Sequence, residues 1–346
     1  MGSGTASMEI FDVTIIGGGP AGLYAAFYSG LRELKVKIIE AQPYFGGKMQ
    51  LYPDKVIWDV GGQPPTLACK LVDQIIRQGL TFNPTLCLNE KITSIEKQEE
   101  LFIARSENGE HYSKTMILAI GGGIFSPQRL TVFENHLENV HYTLKAPSFY
   151  KNKTIAISGK GISVFDWANA LADVAQKVTI IISEDKGKIS PELLQQLTEK
   201  AVEIYDHSTI AQAEVNENAR IVSLRFDNKE KGDTDQIPVE EVLINLGYDK
   251  DFTLLRNCQL PIQTVENSYI DGRPNGTTSV PGLFAIGDII KHDAKLNLIT
   301  GAFQDAANTV NEVTQFINPK ARKTAMVSTH NVMFKERNKE IRRNLN

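Results

Sequence analysis

The stretch Val13–Gly22 reads "VTIIGGGPAG", an apolar run followed by Gly17, Gly19 and Gly22 at the spacing G-x-G-x-x-G. Each glycine has its own task at such a turn. Gly17 permits a tight reversal from strand to helix, Gly19 lets the backbone approach a pyrophosphate, and Gly22 lets the helix pack close to the strand. Ala21 lies in the same turn. The free N–H groups and the dipole at the helix start favour an anion there. About twenty residues on, Glu40 ends a second apolar run and can accept hydrogen bonds from ribose hydroxyls. Its charge would repel a 2′-phosphate. This first site is expected to hold FAD or NAD rather than NADP.

A second array follows in "SGKGISVFDWANALADVAQKVTIIISEDKGK". Gly159 and Gly161 keep the turn and the close approach, but the third position is Val164. Its branched side chain is expected to push the helix away from the strand. The next strand runs into Ile182, Ser183 and Glu184. Glu184 would repel a 2′-phosphate and could bind 2′,3′-hydroxyls instead. Lys186 and Lys188 could each reach a phosphate as a point charge. NADH, NADPH and no efficient nicotinamide use all stay open on these residues.

Other chemistries find little support. The six histidines are dispersed, with no metal-ligand spacing among them. The three cysteines, Cys69, Cys87 and Cys258, form no C-x-x-C pair. They fit free buried thiols in a reducing cytoplasm, not metal-cluster or dithiol chemistry. A net charge of -4 argues against bulk nucleic-acid or anionic-membrane binding. No apolar run reaches the roughly eighteen residues of a spanning helix.

These residues need two βαβ units to position them. The first is a strand from Val13 to Ile16, a helix, and a strand from Val36 to Ile39. The second is a strand over 154–158, a helix over 163–175 and a strand over 178–182. The expected fold is α/β, with two Rossmann-like dinucleotide-binding domains and parallel sheets. One domain, 127–248, is read as inserted into the other, 8–126 with 249–346. Glycine-rich strand exits at "AIGGGIFSP" and "INLGYDKD" mark the crossings. "ENGEHY" at 107–112 suits a hairpin turn. A strand from Leu283 to Ile286 ends on Gly287-Asp288, with a long helix from about Leu298. Residues 1–7, "MGSGTAS", read as a tag remnant. The basic tail "KERNKEIRRNLN" reads as a frayed, solvated helix end.

The stretch "TTSVPGLFAIGD" resembles the second FAD motif of the two-dinucleotide-domain flavoproteins. From Met8 to about Phe334 the chain resembles the thioredoxin-reductase-like ferredoxin–NADP reductases. The matching stretches are "IIGGGPAGL", "KIIE", "LYPDKVIWDVGG", "GGGIFSPQRL", "LFAIGD", "LNLI" and "NPKAR" with "ST". The resemblance implies FAD in the first domain, NADPH in the inserted one, and a homodimer. It implies electron transfer between NADPH and a ferredoxin or flavodoxin. It assigns the ribose acid to Glu40, the ribityl contact to Asp288 and a ring-stacking role to Tyr52. It places Phe125 and Thr329 near the flavin, and the Ile92 backbone at the adenine end.

Several positions depart from that pattern. Lys48 stands where relatives have glutamine, and it could stabilise an anionic reduced flavin. Val327 stands where relatives stack a histidine, with His330 three residues later as a possible substitute. The His-Arg-Arg run of NADPH-using relatives is replaced around Ile182, Ser183 and Glu184, with Lys188 at a later arginine position. "SGKGISVFDWA" lacks the C-x-x-C of the disulfide-reducing relatives, so that route is closed. Three readings follow: an FAD-dependent ferredoxin–NAD(P) reductase, a flavin reductase for a ferric chelate or quinone, and a non-catalytic FAD redox sensor.

Overall fold

Strand β1 (Ile10–Ile16) is mostly apolar because its residues are buried on both faces of a sheet. It pairs in parallel with β2 (Val36–Ile39), from Val13↔Val36 to Ile16↔Ile39. On its other edge it pairs in parallel with strand Gly109–Leu118. Helix α1 (Pro20–Leu31) makes the crossover, with a proline in its first turn where no N–H is needed. Its small residues Ala21, Gly22, Ala25 and Ala26 are buried, which lets the helix lie close to the sheet.

This is a computed structural model, and it describes residues 9–133, 137–266 and 269–345. Residues 1–7, read as a tag remnant, lie outside the described residues, as does the Lys188 side chain. The chain forms two compact units. Unit one holds the chain up to Ile124 and from Lys250 onward; unit two is Phe125–Asp249.

In unit one the described sheet runs Thr85–Cys87, β2, β1, Gly109–Leu118, Leu101–Ser106, Ser94–Gln98. Strand Gly109–Leu118 changes partner along its length. Its first half pairs antiparallel with Leu101–Ser106 through a tight hairpin at Ser106↔Gly109. Its second half pairs in parallel with Leu283–Ala285. The switch brings the ends of three parallel strands to one sheet edge, where Gly17, Ala119 and Gly287 follow.

Unit two repeats the pattern. Its parallel sheet runs Val140–His141, Glu241–Asn245, Thr154–Gly159, Lys177–Ile182, Glu203–Tyr205. An antiparallel sheet, Ser208–Val215, Ile221–Asn228 and Thr234–Pro238, follows. The crossover helix is Ser163–Leu171, shorter than the expected 163–175. The Val174 and Ala175 N–H groups both turn back on the Leu171 carbonyl, at 3.0 and 2.9 Å, and end it.

Three expectations need correction. The basic tail is not merely frayed: it forms helix Lys335–Leu345. Arg337 donates to the Thr81 carbonyl at 2.6 Å and lies over the Phe82 ring, and the Phe334 ring centroid stands 5.8 Å from that of Phe82. Cys69 is exposed and Cys87 and Cys258 are half-buried, so the thiols are not all buried. The strand after Gly282 ends at Ala285, one residue early. No described helix is long and apolar enough to cross a membrane.

One buried acid ties unit two together. Glu241 is 1% exposed and receives His141 Nε2 at 2.7 Å, Lys153 Nζ at 2.7 Å and Arg220 Nη2 at 3.1 Å. Burial acts to raise its pKa, but the bonds from Lys153 and His141 outweigh burial and hold it below the usual carboxylate value. Such a carboxylate stabilises the fold above its unfolded pKa of 4.5 and loses that contribution as pH falls through the lower folded value. Glu241→Ala is expected to cost roughly 3 kcal/mol at neutral pH and to flatten the acid limb of stability. Denaturant titrations across pH check this; an acid limb identical to the parent's would show that another group titrates.

Candidate nucleotide sites

The turn after β1 closes as tightly as glycine allows. A Cβ on Gly22 would lie 1.9 Å from the Gly17 carbonyl oxygen, and one on Gly17 would lie 2.4 Å from the Ala119 oxygen. Gly17 has φ +107°, a region glycine favours. A Cβ on Gly19 would meet Gly47 Cα at an ordinary 3.7 Å, so this side of the turn has room for a bound group. Gly19 caps α1 without a side-chain hydrogen bond, and the first turn of α1 has no acid. The helix start is thus left uncapped and anion-ready.

Glu40 follows β2 and is 8% exposed. Its backbone is pinned on both sides: its N–H donates to Cys87 O, and its carbonyl accepts from Glu90 N. Its carboxylate accepts from Gly18 N at 2.7 Å and Gln42 N at 2.9 Å. Burial pushes its pKa up, against the lowering by the N–H groups of Gln42, Gly18 and Ala41. Two bonds leave further lone pairs for ribose hydroxyls. Ile92 is buried in one cluster with Ile16 and Ile39, the residues that precede Gly17 and Glu40.

Gly287 ends the neighbouring strand edge. A Cβ there would stand 3.0 Å from Ala21 Cβ, so this turn lies against the first turn of α1. The next residue, Asp288, is exposed. Tyr52 caps the short 3-10 helix Gly47–Leu51. Tyr52 packs against the core cluster that includes Ala21 and Phe45, and burial raises its pKa, with the charges of Asp288 and Asp59 adding to it. The glycine turn, Glu40, Tyr52 and Asp288 are therefore drawn to one edge of unit one. An uncapped helix start, two carboxylates and an aromatic ring fit the pyrophosphate, the hydroxyls and the ring system of FAD.

The remaining residues are less gathered. Lys48 is exposed on the 3-10 helix. Thr329 and His330 are exposed, with Thr329 Oγ1 3.1 Å from His330 Nδ1, and Val327 is 64% exposed. Phe125 belongs to unit two and packs edge-on against Tyr248, ring centroids 6.2 Å apart.

In unit two, a cavity lies at the ends of the parallel strands, lined by Gly159, Lys160, Gly161, Ile182, Glu184 and Asp185 among others. Gly161 has φ +71° and open space where a Cβ would stand. Val164 is fully buried, with its Cγ2 2.9 Å from where a Cβ on Gly159 would be, and the Asn245 carbonyl oxygen, at 2.1 Å, is what most closely holds that position to glycine. Lys186 Nζ lies 3.5 Å from Asp206 Oδ2.

Sequence reasoning missed several residues. Phe45 lies against Gly18, and Asp185 and Lys160 line the unit-two cavity. Asp305 accepts from Gly287 N at 3.1 Å. A signal for Asp305 existed: it falls on the buried face of its helix with Gly301, Thr309 and Val313.

The matching family model is the pyridine nucleotide-disulphide oxidoreductase model, over residues 11–306. The chain is 48% identical over 341 residues to a protein of Bacillus licheniformis named ferredoxin–NADP reductase 1, covering 96% of this chain and 97% of that one. It is 48% identical over 339 residues to ferredoxin–NADP reductase 2 of Exiguobacterium sibiricum, covering 96% of each. Among solved structures, thioredoxin reductase of Lactococcus lactis matches with TM-score 0.64 at 24% identity, over 89% of this chain and 99% of that one. That of T. acidophilum matches with TM-score 0.65 at 19% identity, over 90% and 99%. The last two show a shared fold. This chain belongs to the pyridine nucleotide-disulphide oxidoreductase family and, within it, stands with the curated proteins named ferredoxin–NADP reductase.

Proposed function

We propose that the chain is an FAD-dependent oxidoreductase that passes electrons between a nicotinamide nucleotide and a ferredoxin- or flavodoxin-type carrier, as a cytoplasmic homodimer. The observation that carries this is the edge of unit one, where the uncapped glycine turn, Glu40, Tyr52 and Asp288 come together. Relatives at 48% identity named for this activity support it. Bound FAD would take a hydride as an electron pair and release electrons singly.

The chain's own residues bind and orient. The N–H groups at the start of α1, around Ala21 and Gly22, would hold the pyrophosphate. Glu40 would accept from the ribose and Asp288 from the ribityl chain. Tyr52 would cover a ring face, and Ile92 would support the adenine end. Lys48, Phe125, Thr329 and His330 are carried as flavin contacts by the resemblance alone.

For the nicotinamide nucleotide the cavity of unit two is the candidate. Among its described residues a 2′-phosphate would meet one lysine, Lys160, against two carboxylates, Glu184 and Asp185. Lys186 is drawn toward Asp206. NADPH therefore gains no advantage over NADH from these residues.

Three outcomes are expected. The purified protein carries FAD and reduces a ferredoxin or flavodoxin with NADH or NADPH, faster than it reduces ferric chelates or quinones. Equal or better rates with the latter would transfer the assignment to a flavin reductase. Gly22→Ala forces a Cβ into the Gly17 carbonyl, and FAD content, read by absorbance per protein, is expected to fall severalfold. Glu184→Arg replaces repulsion with a phosphate fork and is expected to raise kcat/KM for NADPH about tenfold, with no gain for NADH. A parallel gain for both nucleotides would show that phosphate recognition is not what changed.

A further inference from the structure

Gly287 sits at φ +73°, between the strand Leu283–Ala285 and the exposed Asp288. Its N–H is held by a side chain, and its carbonyl accepts both from a side chain and from the Ile290 backbone N–H. Asp305 Oδ2 accepts from its N–H at 3.1 Å, and Lys295 Nζ donates to its carbonyl at 2.7 Å. Lys295 and Asp305 also pair directly with each other. Their side chains are 8% and 9% exposed. The His292 side chain, 3% exposed, lies with Nε2 3.6 Å from the other Asp305 oxygen and helps to enclose the pair.

A buried ion pair is a poor way to stabilise a fold, because desolvation offsets most of its attraction. This one does something an apolar pair could not: it gives the N–H of one glycine its acceptor and places a charged donor on the carbonyl of the same residue, beside the Ile290 N–H. A trans peptide points its C=O and N–H in opposite directions. With the Gly287 carbonyl held by the Lys295 ammonium and the Ile290 N–H together, the plane of the Gly287–Asp288 peptide is fixed. The direction in which Asp288 leaves the strand is fixed with it.

We propose that Lys295 and Asp305 are positioning residues, a buried pair that orients the Gly287–Asp288 peptide and so aims the Asp288 carboxylate at the bound cofactor. The pair touches no cofactor atom itself; it acts through Asp288. The proposal rests on the reading that unit one binds FAD.

The test is a double-mutant cycle on FAD affinity. Apo protein is titrated with FAD, followed by flavin fluorescence, for the parent, Lys295→Met, Asp288→Asn and the double variant, with thermal melts alongside. Lys295→Met is expected to weaken Kd about tenfold in the parent, and less than twofold where Asp288 is already Asn. Lys295→Arg, which keeps the charge and a donor, is expected to recover most of the loss. Equal losses in both backgrounds, or a lowered Tm with unchanged Kd, would overturn the proposal by making the pair merely structural. If Lys295→Met does not fold, Asp305→Asn decides in the same cycle, since it keeps an acceptor for Gly287 and removes the charge. A parent that binds no FAD would sink the unit-one reading itself, and this shows before any variant is compared.

Discussion

The contact on which unit one depends is the approach of α1 to the end of β1. Gly22 lies so near the Gly17 carbonyl that no side chain could stand between them. That closeness aims the uncapped start of α1 at the space beyond the sheet. It brings Ala21 against Gly287, which puts Asp288 beside the same space. It also sets Gly18 where its N–H reaches Glu40. A wider turn would separate three chain segments that are far apart in sequence.

The sheet makes this meeting possible through strand Gly109–Leu118. By trading an antiparallel partner for a parallel one midway, it admits Leu283–Ala285 from late in the chain. The ends of these parallel strands, with their loops, then form one edge, where ligands gather in open α/β sheets. Unit two carries the same layout, but its edge is chemically different. The first helix turn there includes Asp166, and the cavity is lined by Glu184 and Asp185. One edge presents a helix start with no side-chain cap and no acid in its first turn, while the other carries more negative than positive charge around its cavity.

Much of this was legible in the sequence, for a physical reason. Glycine turns, strand-end acids and apolar runs are local signals, so β1, α1, β2 and the Glu40 position could be read directly. Contacts across long sequence separations could not. Nothing local to Gly287 announces that Lys295 and Asp305 hold its two backbone groups. Gly159 shows the same limit: a Cβ there would meet the Asn245 carbonyl oxygen at 2.1 Å, a neighbour far away in sequence. The tail was legible as a solvated helix end, and its residues 335–343 are exposed, but its anchor was not legible. Its composition is that of a solvated end, yet Arg337 and Phe334 find the Phe82 ring, a partner more than 250 residues earlier.

The central claim is that a nicotinamide nucleotide gives its electrons to FAD held in unit one. The measurement that tests it most directly is anaerobic stopped-flow mixing of the FAD-loaded protein with NADH and, separately, NADPH, followed at the flavin visible band. Loss of that band is expected with both nucleotides, with the weaker apparent affinity for NADPH, because Glu184 and Asp185 outnumber Lys160 around the cavity. A flavin that stays oxidised with both would contradict it.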